Sequence, residues 1–199
     1  MLLKVMTILG TRPEGIKMAP LIKKLKMVPG IECVFVNTAQ HREMLDQVLK
    51  LFQITPDYDL NVMQAGKNVE DLTGLMITEL SNIIDADKPD LVLVHGDTTT
   101  TFVGAYTAFL KQIPIGHVEA GLRTNNKYSP FPEEMNLQMV SRLASYHFAP
   151  TVRNKENLLK ENIAEASIYV VGNTVIDALL HVASRNYYFE GELGPIFSN

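Results

Sequence analysis

PDLVLVHGDTTTTF, residues 89–102, decides the fold. Leu91 to Val94 form an unbroken apolar run, as expected of a strand covered on both faces and therefore of a parallel sheet. A helix is predicted directly after it, over 98–111, and a second such strand over 114–118. Before it, residues 69–87 carry Leu72, Leu75, Met76, Leu80, Ile83 and Ile84 at helical spacing. The same alternation extends outward. Toward the N-terminus, a strand at 2–9 ends at Gly10. A helix at 14–28 follows, stopped by Pro29-Gly30. Then come a strand at 31–38 and a helix at 41–52 with Met44, Leu45, Val48, Leu49 and Phe52 on one face. Residues 57–62 read as a short strand. Toward the C-terminus, a loop at 124–132 leads to a helix at 133–145. A strand at 146–151, a helix at 154–162, a strand at 168–172 and a helix at 174–184 complete the pattern. Repeated strand–helix units predict an α/β fold of three layers around a doubly wound, Rossmann-like parallel sheet. The predicted division is one domain over 1–172, then a linker helix and tail over 173–199, ending RNYYFEGELGPIFSN.

Composition narrows the function. Of 199 residues, 46% are hydrophobic and 20% charged, an ordinary globular mix with room for one large core. The net charge of −4 offers no electrostatic footprint for nucleic acid or an anionic membrane, so neither is expected as a partner. The one cysteine, Cys33, excludes an internal disulfide and reads as a buried structural thiol. No run approaches the ~20 apolar residues of a membrane span. The apolar start lacks the basic region and cleavage site of a signal peptide, so the expected location is the cytoplasm.

Doubly wound sheets bind ligands beyond the carboxyl ends of their strands. Three polar loops fall there: GTRPEGIK (10–17), HGDTTTT (95–101) and HVEAGLRT (117–124). Gly10 suits a tight turn and Pro13 a helix start, whose N-terminus favours an anion, with Arg12 and Lys17 adding charge. An ordinary turn with solvated cations fits that spacing equally well. Asp97 stands where a helix cap would stand, ahead of Thr98 to Thr101; it reads as a cap, a functional acid, or both. The run of threonines forms helix poorly and so points to a use for its hydroxyls. Glu119 has no capping role in view, and a buried carboxylate needs a partner, for which Arg123 is the candidate. Glu133 and Glu134, after SPFP, suit the first turn of a helix. Gathered in one crevice with Asp97 and Glu119, such carboxylates would push one another's pKa values apart. His95 and His117 each end a strand, as scaffold or ligand; no spacing supports a metal site.

Taken in order, GTRPEGIKMAP, VHGDTTTTF, HVEAGLRT, SPFPEE, FAPT and VGNTVIDAL resemble the bacterial non-hydrolysing UDP-N-acetylglucosamine 2-epimerases, from residue 4 to about 180. The resemblance implies the N-terminal domain of a GT-B fold. It implies interconversion of UDP-N-acetylglucosamine and UDP-N-acetylmannosamine for polysaccharide synthesis, by anti elimination of UDP to 2-acetamidoglucal and re-addition. By motif, Asp97, Glu119 and Glu133 are then the catalytic carboxylates. Arg12, Lys17, His95, Thr98 and Arg123 are the substrate-binding candidates. No cofactor or metal is implied, and the working form is a homodimer.

Departures from the family pattern stand out. Gly15 replaces an expected Ala, Ala39 an expected Gly, and Leu137 an expected Arg; MQAGKN (63–68) lacks an expected Arg. These put a looser first helix, a weaker grip on an anion and the loss of activation by a second substrate molecule among the expectations. The family chain is nearly twice as long, its second domain supplying most nucleotide contacts and a catalytic histidine. Poor activity of these residues alone is therefore expected. Two alternatives remain open: a non-catalytic sugar-nucleotide-binding or protein-association module, and another GT-B enzyme such as a glycosyltransferase.

Overall fold

A computed structural model of the protein describes residues 2–40, 42–62 and 68–184. The expectations on residues 63–67, on His41 and on the tail from Arg185 lie outside them. The first half runs β1 (Leu3–Leu9), α1 (Arg12–Met27), β2 (Ile31–Asn37), α2 (Arg42–Phe52), β3 (Tyr58–Asp59), α3 (Val69–Asp87) and β4 (Leu91–His95). The second runs α4 (Thr99–Leu110), β5 (Ile115–Val118), α5 (Glu133–Leu143), β6 (Tyr146–Ala149), α6 (Val152–Lys160), β7 (Ile168–Val170) and α7 (Val175–Ala183).

The seven strands form one parallel sheet in the order β3-β2-β1-β4-β5-β6-β7. This is the Rossmann-like, three-layer α/β architecture expected of a GT-B N-terminal domain. The chain winds outward from β1 to β3, then returns to lay β4 on the other side of β1. That reversal leaves a crevice at the carboxyl ends of β1 and β4, between loops that diverge to opposite faces.

Alternation along the central strands explains their apolar runs. Met6, Ile8, Val92 and Val94 face a core shared with Met76, Leu80 and Val103. Val5, Leu9 and Leu93 face the other core, with Met18, Ile22, Leu45 and Phe52. Strands β1 and β4 thus bury both faces, and burying each such side chain contributes about 1.5–3 kcal/mol. The helix α7 lies back on the second core through Ala178, and the His181 ring stacks on Phe52 at 5.1 Å between centroids. Cys33 is half-buried beside that core, and burial pushes its thiol pKa up.

Local geometry amends the sequence reading in places. Met44 sits at the edge of the α2 stripe and is 45% exposed, not inward. Gly10 is required by close approach: a Cβ there would collide with the Thr38 hydroxyl and lie 2.9 Å from that of Thr100. Ala39 adopts φ 55, a left-handed conformation that glycine takes at less cost. Gly15 packs where a Cβ would overlap a methyl of Leu45, which brings α1 close to α2. Among the described residues no helix is long and apolar enough to cross a membrane.

Candidate functional site

Two helices begin at the switch between β1 and β4. Thr11 caps α1 and Thr98 caps α4, where the Thr98 Oγ1 accepts the Thr101 N–H at 3.1 Å. Asp97 is therefore not the cap. With its backbone oxygen held by the Asn136 amide at 2.8 Å, its carboxyl is left for the crevice. The positive ends of both helices point at the same space.

Glu14 ties the two helix starts together, a role that the sequence reading missed. One carboxylate oxygen accepts the Gly10 N–H at 3.0 Å and the Thr11 N–H at 2.7 Å. The other accepts the Thr98 hydroxyl at 2.7 Å and lies 3.1 Å from that of Thr101. The side chain is 2% exposed, and burial raises its pKa against the lowering effect of these bonds. A signal was present: Thr11-x-x-Glu14 is the spacing of a capping box. The threonine run is used as its hydroxyls suggested. Thr98 and Thr101 serve Glu14 and the α4 cap, and Thr100 donates to Gln40 at 2.9 Å. Thr98 is thus scaffold as well as lining.

The crevice, about 260 Å³, is lined by Thr11, Pro13, Glu14, Lys17, His95, Asp97, Thr98, Glu119 and Glu133. Pro13, Glu14 and Lys17 share one face of α1 by helical spacing, so the first loop and first helix present cation and acid together. Glu119 leaves the end of β5 at φ 64, a strained conformation for a residue with a side chain. The Lys17 ammonium donates to its two oxygens at 2.5 and 2.6 Å. Arg123, the expected partner, is elsewhere. It grips Glu161 with two bonds at 2.6 and 2.8 Å and Ser141 at 2.9 Å, pinning the loop after β5 to the end of α6. It does not line the crevice, and neither does Arg12, which is exposed at the start of α1.

Electrostatics separate the acids. The Asp97 carboxyl is raised by burial, then by Glu133 and Glu119 close by, with Lys17 opposing. The Glu133 Oε2 is buried and accepts no hydrogen bond among the described residues. Glu134 turns the other way. It accepts Thr124 and Asn125 N–H at 2.8 and 3.2 Å, the Thr124 hydroxyl at 3.0 Å and the Gln138 amide at 2.9 Å. Burial would raise its pKa, but these bonds win and lower it. It organises the loop before α5 and is not part of the crevice.

Both strand-end histidines are neutral. Burial, aided in His95 by Lys17, pulls each from 6.5 to about 3. The His95 Nε2 lies 3.5 Å from Glu119 Oε2, a polar contact beneath the acid and not an ion pair. His117 donates from Nε2 to the Gly96 oxygen at 2.7 Å and so braces the turn that carries Asp97. Leu137 is 3% exposed and does not line the crevice. The gathered groups can hold an anion at two helix ends and move a proton between carboxyls on a bound ligand.

The sequence model of the UDP-N-acetylglucosamine 2-epimerase family matches residues 23–192. The chain is 59% identical over 177 residues to the UDP-N-acetylglucosamine 2-epimerase of Bacillus subtilis, covering 89% of this chain and 47% of that one. To the Escherichia coli K12 enzyme of that name it is 57% identical over 183 residues, 92% of this chain and 49% of the other. The crystal structure of UDP-GlcNAc 2-epimerase from Neisseria meningitidis bound to UDP-GlcNAc superposes with a TM-score of 0.88 at 54% identity. It covers 90% of this chain and 48% of that one. The chain spans about half the length of these relatives. It belongs to the UDP-N-acetylglucosamine 2-epimerase family.

Proposed function

We propose that this member of the UDP-N-acetylglucosamine 2-epimerase family contributes the acid–base half of the cleft that interconverts UDP-N-acetylglucosamine and UDP-N-acetylmannosamine. The observation that carries the reading is the meeting of Asp97, Glu119, Glu133 and Lys17 in one crevice at the start of α1 and α4. In the reaction a base removes the proton at C2 while the C1–O bond to UDP breaks, leaving 2-acetamidoglucal and UDP. Return of a proton to the opposite face of C2 and of UDP to C1 gives the epimer. Glu133, whose Oε2 has no hydrogen-bond partner among the described residues, suits the base. Asp97, with its raised pKa, suits the proton donor. Glu119 with Lys17 forms the polar floor. The departing diphosphate is met by Lys17 and by the helix ends, with the exposed Arg12 adding positive charge at the start of α1.

In this reading residues 1–172 are the N-terminal domain and 173–199 lead toward the second domain that the relatives' length provides. The protein works as a homodimer in the cytoplasm; sedimentation of a single monomeric species would remove the dimer from the reading.

Proton NMR of the protein with UDP-N-acetylglucosamine in deuterated water, with and without the second half of a relative, tests the function. Expected are deuterium at C2 and the anomeric signal of the manno epimer, both abolished by Glu133→Gln. A folded chain that gives neither signal under either condition overturns the proposal.

A further inference from the structure

The motif VGNTVIDAL follows β7, away from the three loops that form the crevice, yet one of its residues reaches Glu119. The Asn173 Nδ2 donates to Glu119 Oε1 at 3.1 Å. The other atom of the same amide is committed: Oδ1 accepts the Val175 N–H at 3.0 Å, at the start of α7. That bond settles which way the amide faces, because only an oxygen can accept from Val175 and so the nitrogen must face the carboxylate. Glu119 itself leaves β5 in a strained backbone conformation, which steers its side chain but does not fix the plane of its carboxylate. Lys17 spans both oxygens at 2.5 and 2.6 Å and does not discriminate between them. Asn173 does. Oε1 accepts from Lys17 and Asn173, whereas Oε2 has Lys17 and only the 3.5 Å approach of the neutral His95 ring.

We infer that Asn173 is a positioning residue for Glu119: its amide reserves Oε1 and leaves Oε2 as the oxygen able to exchange a hydrogen bond or proton with a ligand. The consequence for turnover rests on the epimerase reading; the contact itself does not. Charged or titratable groups facing Glu119 come from every neighbouring element: Lys17 from α1, His95 from β4, and Asp97 from the loop after it, itself beside Glu133 of α5. Asn173 does not titrate, so it orients the carboxylate without altering the charge balance of the crevice at any pH.

A plain helix-start role for Asn173 predicts a different response to substitution, and this makes the test sharp. Asn173→Asp keeps the acceptor for Val175 and caps as well as asparagine. It places a carboxylate against Glu119. Thermal unfolding of wild type, N173D, E119Q and N173D/E119Q forms the cycle. Expected is a loss of about 3 °C or more for N173D that largely disappears in the E119Q background, where the amide introduced at position 119 can donate to the carboxylate introduced at position 173. Equal losses in both backgrounds would overturn the inference and leave a helix cap. If N173D does not fold, the same cycle with N173A decides between coupled and additive losses. In the deuterium-exchange assay, N173A is expected to lower kcat and shift its pH profile with KM within about twofold. An unchanged kcat and pH profile overturns the inference. A wild type without turnover but with a coupled cycle would strike the function reading alone.

Discussion

Removing the Glu14 carboxylate should cost far more stability than neutralising it. In Glu14→Ala the Gly10 and Thr11 N–H groups lose their acceptor, while the Thr98 hydroxyl can still donate to Thr101 Oγ1 at 3.0 Å. A buried donor without a partner costs about 1–3 kcal/mol. Glu14 lines the open crevice, so the low end applies, about 2 kcal/mol for the two. For a chain of this size that is a fall in Tm of about 4–8 °C. Glu14→Gln is different. Its oxygen can serve Gly10 and Thr11 while its NH2 faces Thr98 and Thr101. The Thr101 hydroxyl gives its proton to the His95 oxygen at 2.5 Å, so its own oxygen is available to accept. E14Q should therefore stay within about 1 kcal/mol of wild type. The two also differ with pH. Burial holds Glu14 above its ordinary pKa, so the folded state keeps that proton to higher pH than the unfolded chain does. Wild type loses stability as pH rises through the raised value, E14Q does not, and the gap moves in favour of E14Q toward alkaline pH. Thermal melts followed by circular dichroism at several pH values read all three quantities. E14A within about 0.5 kcal/mol of wild type, or E14Q as unstable as E14A, would refute the reasoning.

Asp97→Asn should lower C2 exchange by about 10²- to 10⁴-fold. The raised Asp97 acid loses native stability as pH rises through its folded pKa, so D97N should gain on wild type in melting temperature as pH rises; unimpaired exchange, or a gap that does not move with pH, would contradict the assignment. His95 and His117 refuse protons until about pH 3 while the unfolded chain takes them near 6.5. Stability should fall as pH drops across that window, and urea unfolding of His117→Asn from about pH 7.5 to about 4.5 should show a shallower slope; an identical slope sinks the assignment. Gly121→Ala should cost about 3 kcal/mol or more, because φ is 87 and the new Cβ would collide with the Asn154 carbonyl. A drop in Tm below about 2 °C would show that the α6 backbone yields freely.

The periodicities carried most of the fold. A strand buried on both faces must be apolar along its buried run, and β4 is from Leu91 to Val94; amphipathic helices must repeat near 3.6, and α3 does. Alternation of strand and helix then implied a doubly wound parallel sheet, while its strand order came from the structure. Motifs between those elements identified the loops that meet in the crevice, and so Asp97, Glu119, Glu133 and Lys17 were legible from residue type and place. Helix starts were legible only to within two residues, as at α1 and α6, and at α4 a single residue moved the cap from Asp97 to Thr98.

Partner choice was not legible. Glu119 and Arg123 are four residues apart and suit each other by charge, yet the left-handed turn at Glu119 sends its carboxylate to Lys17, 102 positions away. Arg123 turns instead to Glu161. Glu133 and Glu134 are adjacent and chemically alike, but consecutive residues on a helix point about 100° apart. One enters the crevice and the other holds a loop. Asn173 carries no local sign of its contact with Glu119, because that contact depends on β7 lying beside β6. By itself the sequence determined which segments are strands, which are helices and which loops hold the chemistry, since these depend on neighbours in the chain. Which acid meets which base was decided only by tertiary structure, since a hydrogen bond is a matter of a few ångströms and of direction. Spacing along the chain specifies neither.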